Sequence, residues 1–175
     1  MFPAVSLIHN TLHPLILVFT ECIECMANSD NVIRAGLTPK LRDIPNLISN
    51  LTYTASPPSK HVVEPKPKKP SSGLVSHSPF SILYNPPIPE FSVIQVKLPS
   101  GEKEYHDEIR GPSIAIVTEG KGKVNWGLGG GSESLGISVG DVFFVGTGTR
   151  IGFETSGVGE LVVYRAFVEV DEKVV

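Results

Sequence analysis

The sequence has little cysteine: Cys22 and Cys25 are the only two in 175 residues. That excludes a disulfide-stapled scaffold. Their C-x-x-C spacing would suit structural zinc only with a second such pair, or a His pair at regular spacing, and neither is present. A thioredoxin-like pair would open a helix after a strand. Here the alternation in Glu21-Cys22-Ile23-Glu24-Cys25-Met26 points the thiols apart or along a buried strand. Both are read as packing thiols in a reducing cytosol. The apolar run Leu15-Ile16-Leu17-Val18-Phe19 is far shorter than the ~20 residues of a membrane span. No Lys or Arg precedes it, as a secretory signal would require, so a cytoplasmic location is expected. Basic charge is also lacking. A net charge of −3 and a pI near 5.9 provide no field for nucleic acid.

What is present reads as globular, with 41% hydrophobic and 19% charged residues in a chain sized for one domain and a satellite segment. Four zones follow one another. Residues 1–19 form an apolar leader. Residues 20–54 are dense in motifs and end in a short helix. Asp43 caps that helix, Pro45 lies in its first turn, and Ile44, Leu47, Ile48 and Leu51 share a face. Residues 55–90 are rich in Pro, Ser and Lys, the composition of an extended linker. Lys66, Lys68 and Lys69 there are read as a solvated loop. Residues 91–171 alternate short apolar runs with Gly turns, at 91–98, 113–117, 123–126, 142–145, 151–154 and 160–167. The expected fold is mainly β, a jelly-roll or β-sandwich domain of cupin type. The Gly-rich stretch 127–132 lies between strands with no helix after it, which makes it a hairpin loop and not a phosphate cradle.

Chemistry concentrates in residues 24–40. Two acids, an Arg and a Lys fall within seventeen positions, together with Ser, Asn and Thr. Such small polar groups suit a polyol and an anion. Arg34 can stabilise developing negative charge, and Glu24 or Asp30 can orient it or handle protons. A purely structural reading has Asp30 capping a turn, Arg34 pairing with it and Lys40 solvated.

The run Glu24-Cys25-Met26-Ala27-Asn28-Ser29-Asp30-Asn31-Val32-Ile33-Arg34-Ala35-Gly36-Leu37-Thr38-Pro39-Lys40 resembles the second half of the type I phosphomannose isomerase signature, and meets it at every specified position. With the helix after Asp43, Leu51-Thr52-Tyr53, the Pro-Pro-Ile-Pro-Glu-Phe approach at 86–91 and the strands to about 170, the resemblance covers roughly residues 21–171. It is a resemblance to the C-terminal portion of that family. It implies a zinc-dependent aldose–ketose isomerase that interconverts mannose 6-phosphate and fructose 6-phosphate and supplies GDP-mannose synthesis. By the same resemblance Arg34 matches the active-site arginine, Asp30 an active-site carboxylate, Glu24 a cleft-lining acid, and Lys40 a substrate-side lysine.

The family's zinc-ligand set is incomplete here. The histidine of the signature's first half would fall at position 15, which is Leu. His13 is the nearest candidate, and two residues along a strand displace a ring by ~7 Å. The Gln-x-His pair and the Glu of the family have no counterpart. His61, His77 and His106 are read as loop or strand-edge residues. The sequence therefore leads to a truncated family member with little activity alone, and to self-association through an uncovered apolar face. The alternative is a non-catalytic sugar-phosphate or protein-binding β module.

Overall fold

In the computed structural model, the residues described are 22–27, 33–34, 39–51, 55, 57–67, 79–127 and 133–169. The chain divides into two compact units, Met1–Val63 and Glu64–Val175.

In the first unit, helix α1 spans Ile44–Asn50. Asp43 caps it as its composition demands. The carboxylate accepts from the Asn46 amide at 3.2 Å, satisfying one of the N–H groups a helix start leaves without a partner. Pro45 supplies a fixed φ in the first turn. The expected apolar face is only partly realised. Leu47 is buried, while Ile44 and Ile48 are about half exposed. A 3-10 turn at Pro58–His61 closes the described part of this unit.

The second unit is a sandwich of two antiparallel sheets. Strands β1 (Lys66–Pro67), β2 (Ser81–Tyr84), β3 (Ser92–Leu98), β10 (Leu161–Phe167), β5 (Ser113–Glu119) and β8 (Val142–Val145) form one sheet in that spatial order. Strands β4 (Lys103–His106), β9 (Ile151–Thr155), β6 (Lys121–Trp126) and β7 (Glu133–Ser138) form the other. From β3 onward the chain crosses back and forth between the sheets, giving β3-β10-β5-β8 over β4-β9-β6-β7. That interleaving is a jelly roll, the architecture expected from the short strands and Gly turns. β2 and β1 extend the first sheet from within the Pro-rich zone.

The core lies between the sheets. Ile94, Val96, Leu98, Val117, Phe153, Leu161 and Val163 are at most 1% exposed. In β5 the period of two is clear, with Ala115 and Val117 inward and Ile114 outward. In β3 and β10 both faces are buried, which is why these strands read as continuous apolar runs. β6 and β7 pair with Trp126 opposite Glu133, while residues 128–132 of the Gly-rich stretch expected as a hairpin loop lie outside the described residues. At the β7–β8 corner the Asp141 carboxylate accepts from the Ser138 amide at 2.7 Å and holds the turn.

Among the described residues one side of the sandwich is open. β8 and β7 are the edge strands there, one from each sheet. Ile114 pairs with Phe144, and Ile116 with Val142. Phe144 is 71% exposed and Val142 56%. β8 reads Val-Phe-Phe-Val, without the charge or proline that normally blunts an edge.

Candidate functional site

The sequence-predicted residues fall in the first unit. Glu24 lies in an irregular segment at 22–27 with its side chain exposed. Arg34 is half-buried, and Lys40 is exposed in a bend beside Pro39. Asp30 and His13 lie outside the described residues. The sequence reading made both cysteines packing thiols. Cys22 instead stands exposed, because its segment is not a strand with an inner face. Cys25 is half-buried, and burial pushes its thiol pKa up.

The residues present do not fit a zinc ion among those described, since no three His, Cys, Asp or Glu side chains converge.

The second unit holds a polar cluster that sequence reasoning missed. Glu104 and His106 occupy alternate positions of β4, so both side chains enter the sandwich. Glu104 is 2% and His106 0% exposed. His106 is thus a core residue and not the loop or strand-edge residue expected. From the facing sheet come Ser81, Ser113 and Arg165, the last only 1% exposed. His106 Nε2 is 3.0 Å from Glu104 Oε1 and 3.0 Å from Ser81 Oγ. Ser81 Oγ donates to Glu104 Oε1, and the Phe80 amide donates to Glu104 Oε2 at 2.8 Å. Arg165 Nε donates to Ser113 Oγ at 2.9 Å, and its Nη1 lies 3.4 Å from His106 Nδ1. The ring meets Phe153 edge-on, centroids 5.4 Å apart.

Burial pushes the Glu104 carboxyl up, but the hydrogen bonds from His106, Ser81 and the Phe80 amide outweigh it, so the pKa lies below the usual carboxylate value. Burial pushes Arg165 down to about 10, which still leaves it charged at neutral pH. The cluster is closed to solvent and every buried polar side-chain atom described has a partner. Its chemistry is that of a cross-sheet tie, not of a substrate site. The i, i+2 pair Glu104–His106 between apolar strands was the available signal, but no strand was expected at 103–106.

A cleft of about 290 Å³ opens between the free edges, lined by Trp126, Leu135, Phe143, Phe144, Thr149 and Ile151 among others. Among the described residues its lining carries no charged side chain.

Residues 81–127 match the family described as phosphomannose isomerase type I C-terminal, a match that begins where β2 begins. The mannose-6-phosphate isomerase of Cryptococcus neoformans is 43% identical over 149 residues, 85% of this chain and 32% of that protein. The mannose-6-phosphate isomerase of Schizosaccharomyces pombe is 38% identical over 170 residues, 97% of this chain and 39% of that protein. The chain thus spans about a third of the curated relatives it matches. Mannose 6-phosphate isomerase from Salmonella typhimurium shares the fold, with a TM-score of 0.60 at 24% identity over 83% of this chain and 32% of that one.

Proposed function

For a chain that is a relative of the C-terminal portion of the type I mannose-6-phosphate isomerases, we propose that it serves the interconversion of mannose 6-phosphate and fructose 6-phosphate as one wall of a larger catalytic site. The observation that carries this reading is the unbroken signature at 24–40 within sequence about 40% identical to named isomerases. That kinship favours an isomerase-family chain over a non-catalytic binding module.

The reaction moves a proton between C1 and C2 of the sugar phosphate through an enediol-like intermediate. In the proposed site Arg34 presents its guanidinium to the developing enediolate, where a fixed positive charge lowers the barrier. Asp30 orients the guanidinium or exchanges the proton, Glu24 lines the cleft, and Lys40 lies on the substrate side. Zinc dependence, cytoplasmic location and a place in GDP-mannose supply belong to the same proposal. Among the described residues no helix is long and apolar enough to cross a membrane.

The isolated chain is expected to hold no stoichiometric zinc and to show no turnover of mannose 6-phosphate. Substituted for the matching portion of the Schizosaccharomyces pombe enzyme, it should support turnover, and Arg34→Ala in that chimera should lower kcat by roughly 100-fold. A folded chimera without activity, or one indifferent to Arg34→Ala, would overturn the assignment. One zinc per isolated chain with turnover would instead place a working site within these residues and bring His13 forward as a ligand.

The open side of the sandwich supports self-association of the isolated chain through the β8 edge. Sedimentation of the chain should shift to larger species with rising concentration. Phe144→Lys should hold it monomeric over the same range. A wild-type chain that stays monomeric throughout would remove this part of the proposal.

A further inference from the structure

We propose that the Glu104–His106–Arg165 cluster is an acid-released latch between the two sheets. The geometry points to one protonation state of the ring. A guanidinium nitrogen can only donate. With Arg165 Nη1 3.4 Å from His106 Nδ1, that ring nitrogen presents its lone pair. The ring proton then sits on Nε2, where Glu104 Oε1 accepts it at 3.0 Å. The single Ser81 hydroxyl proton goes to the same carboxylate oxygen, which leaves the hydroxyl lone pairs facing the ring N–H. The imidazole is therefore neutral, and it joins a buried cation on β10 to a buried anion on β4.

The groups around the ring decide what a second proton would do. Arg165 faces it from β10, Glu104 from its own strand and Ser81 from β2; β5 reaches it through Ser113 and Arg165, and β9 presents the Phe153 ring. A proton on Nδ1 would point at the guanidinium, placing two cations in contact with no solvent between them. The Glu104 oxygen that faces the ring lies against Nε2 and not against Nδ1. Taking up the proton thus requires losing the Arg165 contact, and with it the tie that β4 makes to β10.

The sign follows from proton counting. In the unfolded chain the ring takes up its proton as pH falls through about 6.5. The folded chain does not, so the unfolded state binds more protons in that window and stability falls as pH falls. The carboxylates respond only near pH 4 and below, so the two windows separate.

The test is chemical denaturation of the full chain between pH 7.5 and 5.0, beside His106→Gln, which retains a donor near the Nε2 position and does not titrate. The wild-type unfolding constant should rise by up to roughly tenfold per pH unit below 6.5 relative to the variant. Equal pH dependence in the two proteins would overturn the latch. Ring-nitrogen NMR on the wild-type chain decides the matter even if the variant does not fold, with His106 identified by its contact to the Phe153 ring. The expected species at pH 7.5 is the neutral Nε2–H tautomer. An imidazolium or an Nδ1–H ring at that pH would overturn the proposal, as would a folded chain with His106 protonated at pH 5.5.

Discussion

Arg165→Ala is expected to destabilise the β unit by roughly 3–5 kcal/mol, since it removes one partner of a buried charge network and leaves the other behind. Ser113 Oγ and His106 Nδ1 each lose their donor, and the Glu104 carboxylate loses the positive charge that balances it across the ring. The side chain is 1% exposed, so water cannot step in without opening the sandwich. Against a typical domain stability of about 5–15 kcal/mol, that loss takes many such domains close to unfolding at ordinary temperature. Urea titration monitored by Trp126 fluorescence measures it. The double replacement Arg165→Met with Glu104→Gln removes both charges and keeps most of the volume. It should recover a substantial part of the loss, which a simple cavity effect would not do. If Arg165→Ala costs less than about 1 kcal/mol, the cluster contributes little to stability.

Gly120→Ala is expected to cost about 3 kcal/mol or more, for two separable reasons. Gly120 joins β5 to β6 with φ +78°, a backbone state that costs a side-chain-bearing residue about 1–2 kcal/mol. A Cβ there would also fall 2.0 Å from the Glu160 carbonyl oxygen, a backbone atom at the start of β10 that has no rotamer by which to yield. Gly101 is the control. Its φ is +80°, but nothing lies within 4 Å of the added atom. Gly101→Ala should show the conformational cost alone, and the difference between the two denaturation midpoints reports the crowding at the sheet. Equal losses at the two sites would mean that β10 shifts freely at its entry.

The jelly roll was legible because its inner strands obey simple rules. Residues 91–98, 113–117 and 160–167 are largely apolar runs, each with Gly or Pro at one end, and they became β3, β5 and β10. The Asp43–Pro45 cap marked α1 to within a residue. What escaped were β4 and β7, edge strands in which Lys103, Tyr105, Glu133 and Ser134 are exposed, so no apolar run announces them. β2 was hidden by the prolines on either side of it. Beyond the i, i+2 pair Glu104–His106 the buried cluster left no signal, because Ser81, Glu104, Ser113 and Arg165 are residue types usually found at the surface, and only the pairing of distant strands brings them together. The signature at 24–40 presents the opposite case. It was read without difficulty as a pattern, while Asp30 within it lies outside the described residues.

β10 is the last strand in sequence among the described residues, yet it lies in the middle of its sheet, paired over Leu161–Phe167 to β3 on one side and over Val162–Phe167 to β5 on the other. During synthesis, β3 and β5 must leave the ribosome and wait, each with an unfilled hydrogen-bonding edge, until residues 161–167 arrive between them. The sheet therefore closes late and through contacts distant along the chain, a topology associated with slow folding and with exposure to aggregation before completion. A ribosome stalled before Leu161 would hold not a nearly finished domain but two separate half-sheets. In the cell such an intermediate is a natural client for chaperones that shield unpaired strands.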